Sequence, residues 1–215
     1  MIDIPKFAPL GDDALLVTFA AEASWDIGVR VRSAASRIRA TRINGVTDVV
    51  PAYTALAVHF DSTRVSFENV AEAIVPALTL SDVPAPDDSR LVEIPVRYDG
   101  PDLASVAEQT GLTVDEVIRR HSSRTYRAYV AGFAPGFAYL GDLDESLVLP
   151  RRATPRVRVP RGSVAIAAAQ TAVYPLETPG GWHLIGTTPS VMFDADRDPP
   201  ALIRAGDTIQ FIDIS

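Results

Sequence analysis

Arginine carries the concentrated positive charge of this sequence. Arg151, Arg152, Arg156, Arg158 and Arg161 fall within eleven residues of a chain whose formal net charge is −7. A short basic strip on an acidic protein suits a small anion or a partner's carboxylates, whereas a nucleic-acid surface calls for a broad positive field. Pro150 and Pro155 fix the backbone before Arg151 and Arg156, so these two lose the least entropy in clamping an anion. They are the expected anion-binding arginines, with Arg161 a further candidate. Arg152 and Arg158, outside the Pro-Arg pairs, read as readily as solvated loop residues as they do as anion ligands.

The other residues suited to a site lie between Tyr129 and Pro189, where glycine and proline alternate with aromatics. Such a stretch specifies loops of fixed shape without regular structure. Phe133, Pro135, Phe137 and Tyr139, with Gly180, Gly181 and Trp182, are expected to be core or the wall of an apolar cleft. Gln170, Thr171 and Tyr174 offer the polar groups to orient a ligand there.

Several chemistries are disfavoured. The chain has no cysteine, and Lys6 is its one lysine beside nineteen arginines, which removes thiolate and lysine-based catalysis and any Walker phosphate loop. His59, His121 and His183 lack a metal-binding spacing, so no metal site is expected. His121 shares a helical face with Val117 and reads as a packing or capping histidine at least as readily as a catalytic one. Ser163 lies outside any nucleophile elbow. Catalytic residues thus remain unassigned. With no apolar run to span a membrane and no signal-like start, a cytoplasmic protein is expected.

The elements that must position these residues come in two groups. Ala14 to Phe19 reads as a buried strand, followed by a helix capped by Ser24 with Ile27, Val31 and Ile38 at helical spacing. Val46 to Val50 and Thr54 to Phe60 read as strands; Leu56, Val58 and Phe60 alternate with His59, which is expected to face away from the core. A second helix, from Phe67 to Leu78, should kink or end at Pro76. This β-α-β-β-α order predicts a small two-layer sandwich. Leu80 to Arg90, rich in proline and aspartate, reads as a linker, placing domains at about 1–85 and 86–215.

Beyond the linker, Leu91 to Arg97 reads as a strand. Asp102 is expected to cap a helix from Leu103 to Thr110, and Thr113 with Glu116 forms a capping box for a helix reaching His121. Short strands are then expected at Tyr126 to Val130, Ser163 to Ala168, Trp182 to Ile185, Val191 to Phe193 and Thr208 to Ile214, predicting a β-barrel.

Five separated motifs occur in a recognisable order: Gly132-Phe-Ala-Pro-Gly-Phe-Ala-Tyr-Leu140; the Pro-Arg segment through Val159-Pro-Arg-Gly-Ser-Val-Ala-Ile-Ala167; Gln170-Thr171 with Tyr174-Pro175; Pro179-Gly-Gly-Trp182; and Ile185-Gly-x-Thr-Pro189. In these the chain resembles the 5-oxoprolinase B-subunit family, equivalently allophanate hydrolase subunit 1 or KipI-type proteins. The resemblance implies an α+β protein with a small N-terminal α/β domain and a C-terminal cyclophilin-like β-barrel. It also implies two kinds of partner, a C-subunit homologue and an A-subunit homologue, and ATP-dependent cleavage of 5-oxoproline to glutamate. The alternative it carries is a non-catalytic inhibitor of a sensor histidine kinase. Ala168, Ala169 and Ala172 stand where the family pattern has glycines, which should exclude positive φ there, and Thr187 stands where an arginine is common.

Overall fold

The computed structural model describes residues 5–79 and 89–215. They fall in two compact units, one up to Asp88 and the other from Ser89 onward. The expected linker lies, through residue 88, outside the described residues.

The first unit is built as β1 (Lys6–Pro9), β2 (Ala14–Thr18), α1 (Trp25–Thr41), β3 (Val46–Pro51), β4 (Ala55–Phe60) and α2 (Phe67–Thr79), with sheet order β1-β2-β4-β3. Ser24 caps α1, its hydroxyl accepting from the Ile27 amide at 3.2 Å. Val31, Ala34, Ala35 and Ile38 of α1 are buried with Leu15, Val17, Leu56 and Val58 of the sheet. Each side chain of leucine size so buried contributes roughly 1.5–3 kcal/mol. His59 lies off that row and is half-buried. Two expectations are corrected. β1 adds an edge strand that its short, proline-ended sequence does not announce. Helix α2 also continues through Pro76 to Thr79, because burial of Ala77 and Leu78 offsets the backbone bond that an exposed proline forgoes.

The second unit contains β5 (Leu91–Val96), α3 (Leu103–Thr110), α4 (Val114–Ser122), β6 (Thr125–Ala131), β7 (Ala138–Gly141), β8 (Arg156–Val159), β9 (Ser163–Ala167), β10 (Gln170–Val173), β11 (Thr178–Gly180), β12 (His183–Thr187) and β13 (Thr208–Asp213). Seven strands form one sheet in the order β12-β9-β10-β7-β6-β13-β5. Its two ends meet: Arg97, just past β5, exchanges backbone hydrogen bonds of 2.9 and 2.8 Å with Thr187 of β12. That pairing closes the sheet into a barrel, which removes both sheet edges over this stretch.

The barrel is filled by Ile94, Val96, Tyr126, Leu140, Val164, Ile166, Ile185, Ile209 and Phe211, with Val106 and Val117 of the two helices packed in. The Thr113–Glu116 capping box forms as its sequence requires. Val191 to Phe193 is not a strand; Phe193 makes a single bridge to Ala201, in a segment broken by Pro189, Pro199 and Pro200.

The tight turn between β9 and β10 overturns another expectation. Ala168 adopts φ +49 although it is alanine, while its amide donates to Leu149 O at 2.7 Å. Left-handed backbone costs a non-glycine residue about 1–2 kcal/mol, and glycine loses up to about 1 kcal/mol more entropy on folding than alanine. Ala168→Gly is therefore expected to stabilise the protein by about 0.5–1 kcal/mol, measured as a higher urea midpoint at unchanged slope.

Candidate functional site

The cleft is organised by the turn at residues 134–137. Pro135 and Gly136 occupy its central positions, Gly136 at φ +81, and the Phe137 amide closes it on Ala134 O at 3.0 Å. This is the turn that proline followed by glycine specifies. It delivers Phe137, 2% exposed, into a cluster of rings. The ring stands edge-on to Phe133, Tyr139, Tyr174 and Trp182, with centroids 5.3, 4.9, 5.5 and 6.0 Å away. Edge-to-face geometry of this kind fixes the rings relative to one another. The rings share a buried cluster with Ala165, Ala167, Ala172 and Leu184.

At the rings opens a cleft of about 100 Å³, lined by Phe133, Phe137, Tyr139, Arg151, Tyr174, Pro179, Gly180, Gly181 and Trp182. Every expected wall residue is in the lining except Pro135, which shapes the turn instead. Of the five expected polar residues, Arg151 and Tyr174 are there. Burial pushes the Tyr174 hydroxyl above its ordinary pKa, against the pull of Arg151 and the Trp182 amide, so it stays a neutral donor at pH 7. Gly180 leaves room for that hydroxyl, since a Cβ at Gly180 would lie 2.2 Å from the Tyr174 oxygen. Gly180→Ala is expected to displace the Tyr174 ring into the cleft at about 1–3 kcal/mol of stability, seen as a lower melting temperature and an altered near-ultraviolet circular dichroism spectrum.

The remaining candidates stand elsewhere. Arg156, expected beside Arg151, instead grips Asp102: its two terminal nitrogens donate to the two carboxylate oxygens at 2.8 and 2.7 Å. Arg152, read as either a solvated loop arginine or an anion ligand, donates to the same carboxylate at 2.7 Å. Contrary to expectation, the Asp102 side chain does not cap α3; it is 4% exposed and also accepts from the Leu184 amide at 2.7 Å. Burial opposes its charge, yet the Arg156 bonds, the Leu184 amide and the Arg152 charge outweigh that and hold its carboxyl below the ordinary range. Nothing near Asp102 in sequence announces partners fifty residues on. Arg161 is exposed and outside the cleft lining, and Gln170 begins β10, half-buried, also outside it.

Thr171 and His121 belong to the barrel core. His121 Nε2 lies 2.9 Å from Thr171 Oγ1, which itself donates to Ala165 O at 3.0 Å, so the ring nitrogen is the donor of that pair. Its Nδ1 accepts from the Tyr98 hydroxyl at 2.8 Å. A fully satisfied, fully buried neutral histidine results. Among the described residues, no group of three or more His, Cys, Asp or Glu side chains is placed to hold a metal ion. Nor is any helix there long and apolar enough to cross a membrane.

Residues 5–203 match the family model described as carboxyltransferase domain, subdomain C and D. The chain is 39% identical over 219 residues to a protein named as the B subunit of 5-oxoprolinase from Bacillus subtilis, spanning 96% of this chain and 91% of that one. The crystal structure of TTHA0988 superposes with a TM-score of 0.84 at 36% identity, covering 94% of this chain but 40% of that longer one. Urea amidolyase of K. lactis, at 15% identity and a TM-score of 0.76 over 97% of this chain and 15% of that one, shares the fold.

Proposed function

Because this chain belongs to the carboxyltransferase subdomain C and D family, among the 5-oxoprolinase B-subunit proteins, we propose that it is the substrate-orienting component of a cytoplasmic, ATP-dependent 5-oxoprolinase. The observation that carries this reading is the cleft: one guanidinium and five aromatic rings, two of them bearing the hydroxyls of Tyr139 and Tyr174, around a space of about 100 Å³. A small cyclic amide bearing a carboxylate presents the complementary groups. Arg151 would take the carboxylate in a forked pair, Tyr174 would donate to an amide or carboxylate oxygen, and the rings would enclose the apolar ring edge.

ATP does not fit here. The cleft is well below the roughly 300–1,000 Å³ that encloses a drug-sized ligand, and among the described residues its lining offers one cation, Arg151, to a triphosphate. We therefore assign the nucleotide to another chain of the complex, either the C-subunit homologue or the A-subunit homologue. This chain contributes binding, orientation and exclusion of water.

Reconstitution tests the reading. The chain with its C-subunit and A-subunit homologues should consume 5-oxoproline in an ATP-dependent manner, and the isolated chain should not. Arg151→Ala in the complex is expected to lower kcat/KM by about 10- to 100-fold, corresponding to about 1.5–3 kcal/mol for a bond to a charged group. No turnover in any combination, together with tight binding to a sensor histidine kinase, would replace this reading with the inhibitor one.

A further inference from the structure

The segment that presents Arg151 is anchored on both sides. Before it, the Pro150 carbonyl accepts from His183 Nε2 at 2.9 Å. After it, the Arg152 amide donates to Gly181 O, in the cleft wall, at 2.8 Å. The Arg152 side chain then reaches Asp102, the carboxylate that also holds Arg156 of β8 and the Leu184 amide of β12. One buried anion thus ties three pieces of chain together: the Arg151 segment, the β8–β11 ribbon that supplies Gly180, and the barrel strand β12. Its two guanidiniums are spent on it, the side chains only 33% and 24% exposed, whereas Arg151 has no ion pair among the described residues. The arrangement separates one arginine for a ligand from two that are occupied.

We propose that Asp102 is the positioning residue of the cleft, setting through Arg152 and Arg156 where the Arg151 guanidinium stands and so how tightly a carboxylate ligand is held. The inference rests on the anion-binding reading of Arg151 and goes beyond it. A carboxylate shared by two arginines and an amide has its acceptor sites filled, which leaves little freedom in the segment it anchors. Removing its charge would leave two partly buried guanidiniums without a counter-ion and free the segment to move.

The test is a double-mutant cycle on the full chain in its reconstituted complex, read as the calorimetric affinity for 5-oxoproline at a temperature where circular dichroism shows each variant folded. Arg151→Ala and Asp102→Asn are each expected to weaken binding about tenfold or more. The double variant should bind no more weakly than Arg151→Ala alone, because Asp102 acts through Arg151. Asp102→Asn binding as tightly as wild type, or two penalties that multiply, would overturn the positioning role while leaving the anion site in place. An Arg151→Ala variant with wild-type affinity would instead remove the anion site itself, and the positioning role with it. If Asp102→Asn does not fold, Arg152→Ala takes its place in the cycle with the same expectations.

Discussion

Phe137→Ala should cost the barrel unit about 3–5 kcal/mol, the range for deleting a buried phenylalanine. Phe137 is 2% exposed, and its ring is the common neighbour of Phe133, Tyr139, Tyr174 and Trp182. Its removal takes away the transfer free energy of the ring, leaves a cavity, and loses several edge-to-face contacts at once. The loss should reach the site as well, since Tyr174 and Trp182 of the cleft would lose the surface that fixes their orientation. Phe137→Leu, which refills part of the volume without the ring edge, should recover part of the stability but little of the 5-oxoproline binding. Urea unfolding at constant slope measures the first quantity and calorimetric titration of the complex the second. A Phe137→Ala loss below about 1 kcal/mol, far under the range for a buried ring, would show that the ring cluster is not the framework of the cleft.

Stability should fall as the solution is acidified from about pH 6.5, well above the range in which carboxylates titrate. The cause is His121, which burial lowers from its ordinary pKa to about 3. Between those values the unfolded chain takes up a proton that the folded chain refuses, so the unfolded state binds more protons and unfolding becomes easier as pH falls. One such group gives a slope that approaches roughly 1.4 kcal/mol per pH unit below its unfolded pKa, or on the order of 2 kcal/mol between about pH 6.5 and 4.5. Below that window Asp102 and Asp144, both held below the ordinary carboxylate range, add losses as they protonate. Unfolding free energies of wild type and His121→Gln across about pH 7.5 to 4.5 provide the measurement. The variant should lie lower at the upper end, having lost bonds to Tyr98 and Thr171, but should run flatter across the window. Parallel curves for the two proteins would assign the slope to another group.

Features that depend on neighbours a few residues apart were legible in the sequence. Ser24 and Thr113 announce their helices because a cap is satisfied within three residues, and the alternation of Leu56, Val58 and Phe60 is set by the pleat of one strand. The family was legible too, since its motifs are continuous runs, and those runs supply most of the cleft wall: Phe133 to Tyr139 in one, Pro179 to Trp182 in another. Which arginine faces the cleft depends on contacts between residues far apart along the chain. Pro150-Arg151 and Pro155-Arg156 are equivalent as sequence, and what separates them is Asp102, more than fifty residues from Arg156, whose buried charge needs a counter-ion wherever the chain brings one. The same holds for Thr171, a polar residue in a recognisable motif that is spent on His121 inside the barrel, and for the meeting of Arg97 with Thr187 that closes it. Strands β7, β8, β10 and β11 are only three or four residues long, too short for alternation to mark them. Backbone partners supplied by distant strands make them strands, and a partner far along the chain leaves no trace in the local pattern.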